Sequence, residues 1–169
     1  LSTPADIAVY GGAAGGGKTF AVLMDPLRHV NTPGFTAVIF RRTTTEIKDA
    51  GGLWQTSFEI YPYVGGDPNA TESKWRFRRS SITFRHLEHV NELPKMGGSQ
   101  FAAIYFDELT TFEEDMFWFM FSRNRTQCGI RPYIRCTCNP QPDSWVAKLL
   151  EWWIDPDTGF PIEERSGVI

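Results

Sequence analysis

A lysine and a threonine placed directly after a run of glycines are suited to holding phosphates. Residues 11–19 read GGAAGGGKT, and Gly12, four residues, then Gly17-Lys18-Thr19 fit the G-x-x-x-x-G-K-[ST] pattern. In that pattern backbone N–H groups wrap the phosphates while the lysine reaches their outer oxygens. Gly12, Ala13, Ala14, Gly15, Gly16, Gly17, Lys18 and Thr19 are therefore the candidate cradle for ATP, with the Thr19 hydroxyl a ligand for Mg2+. Glycine is needed because a backbone without Cβ can take positive φ and let an anion approach. A second pair, Asp107-Glu108, closes the apolar run Ala103-Ile104-Tyr105-Phe106. There Asp107 would hold the metal beside Thr19, and Glu108 would polarise an attacking water as general base. A third group, Thr137-Cys138-Asn139-Pro140, ends another apolar run. The Asn139 amide both donates and accepts hydrogen bonds, so it suits a sensor of the terminal phosphate. Taken singly, two acids after a strand or an Asn-Pro turn are ordinary surface features. Their occurrence in one chain with the glycine loop gives them roles and points to nucleotide hydrolysis.

These groups need strands to carry them and helices to pack the strands. Ile7 to Tyr10 reads as a buried strand, and Phe20 to Met24 as the start of a buried helix that Pro26 ends or kinks. After a turn at Asn31-Thr32-Pro33-Gly34, Phe35 to Phe40 is a second strand, ending in Arg41-Arg42-Thr43. Thr44 to Tyr61 reads as mainly helical with an interruption at Gly51-Gly52, and Pro62 to Ala70 as loop. KWRFRRSSITFRH, residues 74–86, alternates, turns near Ser80-Ser81 and alternates again, which predicts a β-hairpin. Trp75 and Phe77 fall on one of its faces, and Lys74, Arg76 and Arg78 on the other with Arg79 and Arg85. Phe101 to Phe106 and Tyr133 to Thr137 are further strands. Thr111 with Glu114 three residues on is a capping-box pattern ahead of a long helix, whose Met116, Phe117, Phe119, Met120 and Phe121 form an apolar stripe for the core. Ser144 to Ile154 reads as an amphipathic helix and Asp155 to Gly159 as a turn. The alternation predicts an α/β fold, a central, mainly parallel sheet flanked by helices, with an inserted hairpin.

The 169 residues suit one domain spanning 1–169. With 17 Lys and Arg against 20 Asp and Glu the net charge is −3, so any nucleic-acid contact must come from a local patch. No apolar run approaches the ~20 residues that span a bilayer, and the expectation is a soluble, intracellular protein. Cys128, Cys136 and Cys138 are an odd set expected to be reduced thiols, and His86 and His89 lack companions at metal-ligand spacing. The first strand begins almost at residue 1 and the chain stops on Val168-Ile169, which suggests a domain of a longer protein.

GGAAGGGKT, the strand IYFDELT, the following helix ending SRNR, the strand CTCNP and the tryptophan of DSWV resemble, in this order and over most of the chain, the ATPase domain of the large terminase subunit of tailed bacteriophages. The resemblance implies a P-loop NTPase of the RecA-like, additional-strand catalytic-glutamate (ASCE) type. It further implies an ATPase that powers translocation of double-stranded DNA into the viral procapsid. The implied partners are the portal protein, the small terminase subunit and further copies in a ring, usually a pentamer. The implied place is the host cytoplasm at the portal, with no membrane. By position Lys18 and Thr19 match the phosphate and magnesium residues, Asp107 and Glu108 the acidic motif, and Thr137 with Asn139 the coupling motif. Two departures stand out. Ala14 occupies a position where many relatives carry arginine, and Lys95-Met96-Gly97-Gly98 occupies the neighbourhood of a trans-acting arginine in others. Arg123 and Arg125 are the candidate replacements, followed by Arg41, Arg42 and Lys95. Lys74, Arg76, Arg78 and Arg79 are candidates for contact with DNA or a neighbouring subunit, the alternative being a solvated edge that resists sheet-to-sheet pairing. The family's nuclease needs acids that converge on metal ions. Glu113, Glu114 and Asp115 are consecutive on a helix and cannot converge, so no nuclease activity is expected here. A kinase or nucleotide-dependent switch uses the same loop and stays open as the alternative.

Overall fold

The structure, a computed structural model, describes residues 3–12, 15–160 and 162–165. Its seven strands are β1 (Ile7–Gly11), β2 (Thr36–Arg41), β3 (Asp67–Asn69), β4 (Lys74–Arg76), β5 (Ser81–His86), β6 (Ala103–Phe106) and β7 (Tyr133–Cys138). They form one sheet in the order β1-β7-β6-β2-β5-β4-β3. Neighbours from β1 to β5 are parallel, and β4 and β3 add antiparallel pairs at the far side. The last strand in sequence, β7, lies between the strand that carries the glycine loop and the strand that carries the acids. Every residue of β6 and β7 is buried, as parallel strands covered on both faces require.

Five helices pack on the sheet, α1 (Lys18–Met24), α2 (Thr44–Lys48), α3 (Leu53–Ser57), α4 (Glu114–Phe121) and α5 (Trp145–Leu150). Because side chains alternate along a strand, β2 supplies Ala37 and Ile39 to one core and Val38 and Phe40 to the other. The first core joins Val22 and Leu23 of α1 with Ile47 of α2 and Leu53 of α3. The second joins Leu93 and Met96 of the 3-10 segment Val90–Met96 with Met116 and Phe117 of α4 and Val146 of α5. Connections leaving β1 and β2 therefore cover one face, and those leaving β5, β6 and β7 cover the other. Strands whose chains part in this way open crevices at their carboxyl ends, and β1 with β7, β6 with β2, and β2 with β5 are such pairs.

The hairpin forms where its alternation places it, with Trp75 opposite Ile82, and β5 also pairs in parallel with β2 from Thr36↔Ser81 to Arg41↔His86. Trp75 and Phe77 are buried, while Arg76, Arg78 and Arg79 are exposed. The Trp75 indole N–H donates to Ser57 Oγ at 2.8 Å, and the ring is ringed by Trp54, Phe58 and Tyr61. Three local expectations are corrected. Residues 62–70 are not all loop, because Asp67–Asn69 pairs with β4 as an edge strand. Thr111 does not cap a helix: its hydroxyl donates to the Glu108 carbonyl at 2.8 Å, closing the 3-10 turn Leu109–Thr111, and α4 starts later at Glu114 and runs eight residues. The helix expected from Ser144 to Ile154 is α for six residues and tightens to 3-10 at Glu151–Trp153. Among the described residues no helix is long and apolar enough to cross a membrane.

On the first face a polar network sits inside the core. Tyr105 Oη donates to Asp25 Oδ2 at 2.7 Å and lies 2.8 Å from Tyr133 Oη, while Arg28 pairs with Asp25 at 2.7 Å. The Arg135 guanidinium stacks over the Tyr133 ring, 4.6 Å from its centroid, and donates to the carbonyls of Thr3 and Ala5.

Candidate active site

The glycine loop leaves β1 and enters α1 through two left-handed residues, Gly15 at φ 82° and Gly17 at φ 69°. A side chain at either would be strained, so these two positions require glycine. Ala13 and Ala14 lie outside the described residues. Lys18, at the first position of α1 and largely buried, donates from Nζ to the Gly12 carbonyl at 2.6 Å and to Asn139 Oδ1 at 2.9 Å. The Gly12 N–H donates to the Cys138 carbonyl at 3.3 Å. The loop is thus fastened to the end of β7 by both backbone and side chain.

The acids stand one strand further on. Asp107 is 1% exposed and accepts from three side chains, Thr137 Oγ1 at 2.5 Å, Arg41 Nε at 2.8 Å and Thr19 Oγ1 at 3.4 Å. Thr137 also accepts the Glu108 N–H at 3.1 Å, so one hydroxyl fixes the carboxylate of one acid and the backbone of the next. Glu108 is left-handed, at φ 65° and ψ 58°, and this reverses the chain directly after the strand. For a residue with a Cβ that conformation costs about 1–2 kcal/mol. Its carboxylate lies 3.0 Å from Arg41 Nη1, so one guanidinium spans both acids. The Thr19 hydroxyl and the Asp107 carboxylate, 3.4 Å apart, are hard oxygen donors of the kind that would hold Mg2+. Burial pushes the Cys138 thiol up against the opposing pull of Lys18, and burial also raises Cys136, so both stay protonated beside the site.

Lys18, Thr19, Asp107, Glu108, Thr137 and Asn139, chosen from separate stretches of sequence, are brought together across β1, β7 and β6. Arg41, from the sequence a polar residue at a strand's carboxyl end and a later candidate for the trans-acting cation, belongs to this chain's own cluster. Arg42 instead ties the end of β2 to α4, 3.1 Å from Glu113 and 2.9 Å from Met116 Sδ. Arg123 donates to the Gly97 carbonyl and lies over the Phe119 ring, beside the amino end of β6, where its own carbonyl accepts the Phe101 N–H. Arg125 is exposed in the same segment. Neither joins the cluster within one molecule. The basic residues of the hairpin lie on the other side of β2, Arg76 pairing with Glu72 at 3.2 Å.

A family model described as "Terminase large subunit, T4likevirus-type, N-terminal" matches residues 9–166. No curated protein sequence matches the chain. The crystal structure of the HK97 bacteriophage large terminase superposes with a TM-score of 0.68 at 9% identity, covering 87% of this chain and 32% of that one. The N-terminal domain of the DNA packaging ATPase from bacteriophage phi29 gives 0.66 at 15% identity over 92% of this chain and 84% of that one. The large terminase of the thermophilic bacteriophage D6E in complex with ADP gives 0.66 at 14% identity over 89% and 40%. The chain spans about a third of the length of the HK97 protein.

Proposed function

Because the chain belongs to the family of terminase large subunit N-terminal domains of the T4-like-virus type, we propose that it is an ATP-hydrolysing motor domain that powers translocation of double-stranded viral DNA into the procapsid. The observation that carries this reading is the clamp on the acids: Thr137 and Arg41 hold Asp107 and Glu108 within the cluster that also contains Lys18 and Thr19. Residues 12–19, Ala13 and Ala14 included, cradle the triphosphate, and Lys18 exchanges the Gly12 carbonyl and Asn139 for phosphate oxygens. Thr19 and Asp107 would hold Mg2+, which when bound neutralises charge on the terminal phosphates. Glu108 accepts the proton of the attacking water as its oxygen bonds to the γ-phosphorus and the bond to the ADP oxygen breaks. Once the γ-phosphate leaves, Lys18 is free to return to Asn139, and that exchange carries the change to β7 and α5. Arg123 or Arg125 of a neighbouring copy in a ring, usually a pentamer, supplies the remaining cation. Double-stranded DNA, the portal protein and the small terminase subunit are the partners, and the host cytoplasm at the portal is the place. Residues 1–169 are expected to carry no nuclease activity of their own.

The test is ATP hydrolysis by wild type and Glu108→Gln with a separate measurement of ATP binding. A fall of about 10²-fold or more in rate at unchanged affinity is expected, since general-base catalysis contributes roughly that much. A variant that hydrolyses like the wild type, or a wild type that turns over only with an added phosphate acceptor, overturns the proposal and favours a kinase.

A further inference from the structure

β2 sends its chain to α2 on one face and β5 sends its chain to Val90–Met96 on the other, so their carboxyl ends part around a crevice of about 420 Å³. Open α/β sheets hold ligands at such points, and the volume is that of a small-ligand site. This opening shares no lining residue with the cluster around Lys18 and Asp107, and β2, which ends in Arg41, stands between the two. Its floor is apolar, made by Ile47, Phe84 and Met96. Its rim carries Lys48, Arg85, His86 and Lys95, with Glu72 and Glu92 as the acids. Both acids are already engaged. Glu92 Oε2 accepts the N–H groups of Glu88 and His89 at 2.9 and 3.0 Å, its other oxygen stands 3.7 Å from His86 Nε2, and Glu72 pairs with Arg76 at 3.2 Å. Those backbone hydrogen bonds hold the Glu92 carboxyl below its ordinary range, with smaller contributions from the charges of His86 and Lys95. The charged ends of Lys48, Arg85 and Lys95 make no side-chain hydrogen bond or ion pair among the described residues.

Three cations thus line one crevice from three elements, α2, β5 and the 3-10 segment, in a chain whose net charge is −3. Their mutual repulsion falls when an anion sits among them. We infer that the crevice is a phosphate subsite, and that the phosphate belongs to the backbone of a DNA duplex, an assignment that rests on the packaging reading above. The row of charge does not stop at the crevice. Lys74 faces the same way as Arg85, because Lys74 pairs with Thr83 on β5, and Arg76, opposite Ser81, continues that face with its charge shared with Glu72. A line of cations along one face suits a polyanion that runs past more than a solitary phosphate. Contacts of this kind position a duplex and do not read its sequence.

Duplex binding by the chain, followed by fluorescence anisotropy without ATP on two short duplexes of unrelated sequence across a salt series, tests this. Arg85→Ala and Lys95→Ala should each weaken binding about 3- to 10-fold on both duplexes and lower the slope of log K against log salt by about 0.9. Affinity for a fluorescent ATP analogue should not change, and Lys48→Ala gives the same reading from another element should either variant fold poorly. Wild-type binding with unchanged affinity and slope in the variants overturns the subsite alone. Loss of inorganic phosphate binding in the variants, with duplex binding intact, gives the crevice to free phosphate and overturns the backbone assignment. A wild type that binds no duplex overturns both the subsite and the DNA half of the proposed function, leaving the Glu108→Gln result to judge hydrolysis separately.

Discussion

Arg41 joins the last residue of β2 to both acids, and its removal leaves Asp107, 1% exposed, without its closest cation. Breaking a buried ion pair from one side costs more than the pair contributes, because the remaining charge stays desolvated. Arg41→Ala should lower the unfolding free energy by about 2–3 kcal/mol in urea, discounted from the fully buried case because Glu108 is partly in water. Arg41→Lys should recover only part of this, since one ammonium cannot span two carboxylates as a planar guanidinium does. An Arg41→Ala protein as stable as wild type would show the contacts to be idle. Six members of the cluster were legible because each sits in a short pattern with its own chemistry: GGAAGGGKT, DE after an apolar strand, and TCN. Arg41 has no such pattern. It reaches Asp107 because β2 lies beside β6, and that adjacency is a property of strand order, which local sequence does not state.

At the scale of elements, β6 and β7 place Tyr105 and Tyr133 against Asp25 inside the first core. Burial raises both phenols, Tyr105 well above its ordinary value and Tyr133 to about 12, with Tyr61 raised by burial as well. A phenol whose pKa is higher folded than unfolded contributes stability that is complete below the unfolded value near 10 and is lost as pH climbs toward the folded value. Unfolding free energy should therefore fall above about pH 10, by about 1.4 kcal/mol per pH unit for each such group. Tyr133→Phe should flatten this limb between about 10 and about 12, and an unaltered limb in urea titrations would refute the assignment. Most strands were readable from apolar runs ended by polar residues. The edge strand Asp67-Pro68-Asn69 was not, because its composition is that of a turn, and proline is tolerated there only since an edge leaves its missing N–H unneeded. The Thr111 capping pattern misled for a related reason. A threonine hydroxyl bonds whichever backbone group is near, and the left-handed Glu108 brings its own carbonyl within reach first.

The whole molecule is polarised along its strands. The glycine loop, the acids and the cationic crevice all open at the carboxyl ends, whereas Arg123 and Arg125 stand by the amino end of β6. One copy cannot bring its own Arg123 or Arg125 to its own Lys18, so hydrolysis that needs either must join two copies. ATP turnover per molecule should then rise with protein concentration, and an Arg123→Ala, Arg125→Ala double variant should remain slow at every concentration, by up to about 10³-fold. Turnover per molecule that is flat with concentration would remove both arginines from the reaction. The same polarity bears on how the protein can be handled. Cys136 and Cys138 are buried, while Cys128 is partly exposed in the segment leading to β7, beside Gly34, which precedes β2. A maleimide tether would attach there, at the end of the strands opposite the glycine loop. A molecule fixed to a glass surface by that thiol would present its loop, its acids and its cationic rim outward, ready for single-molecule observation.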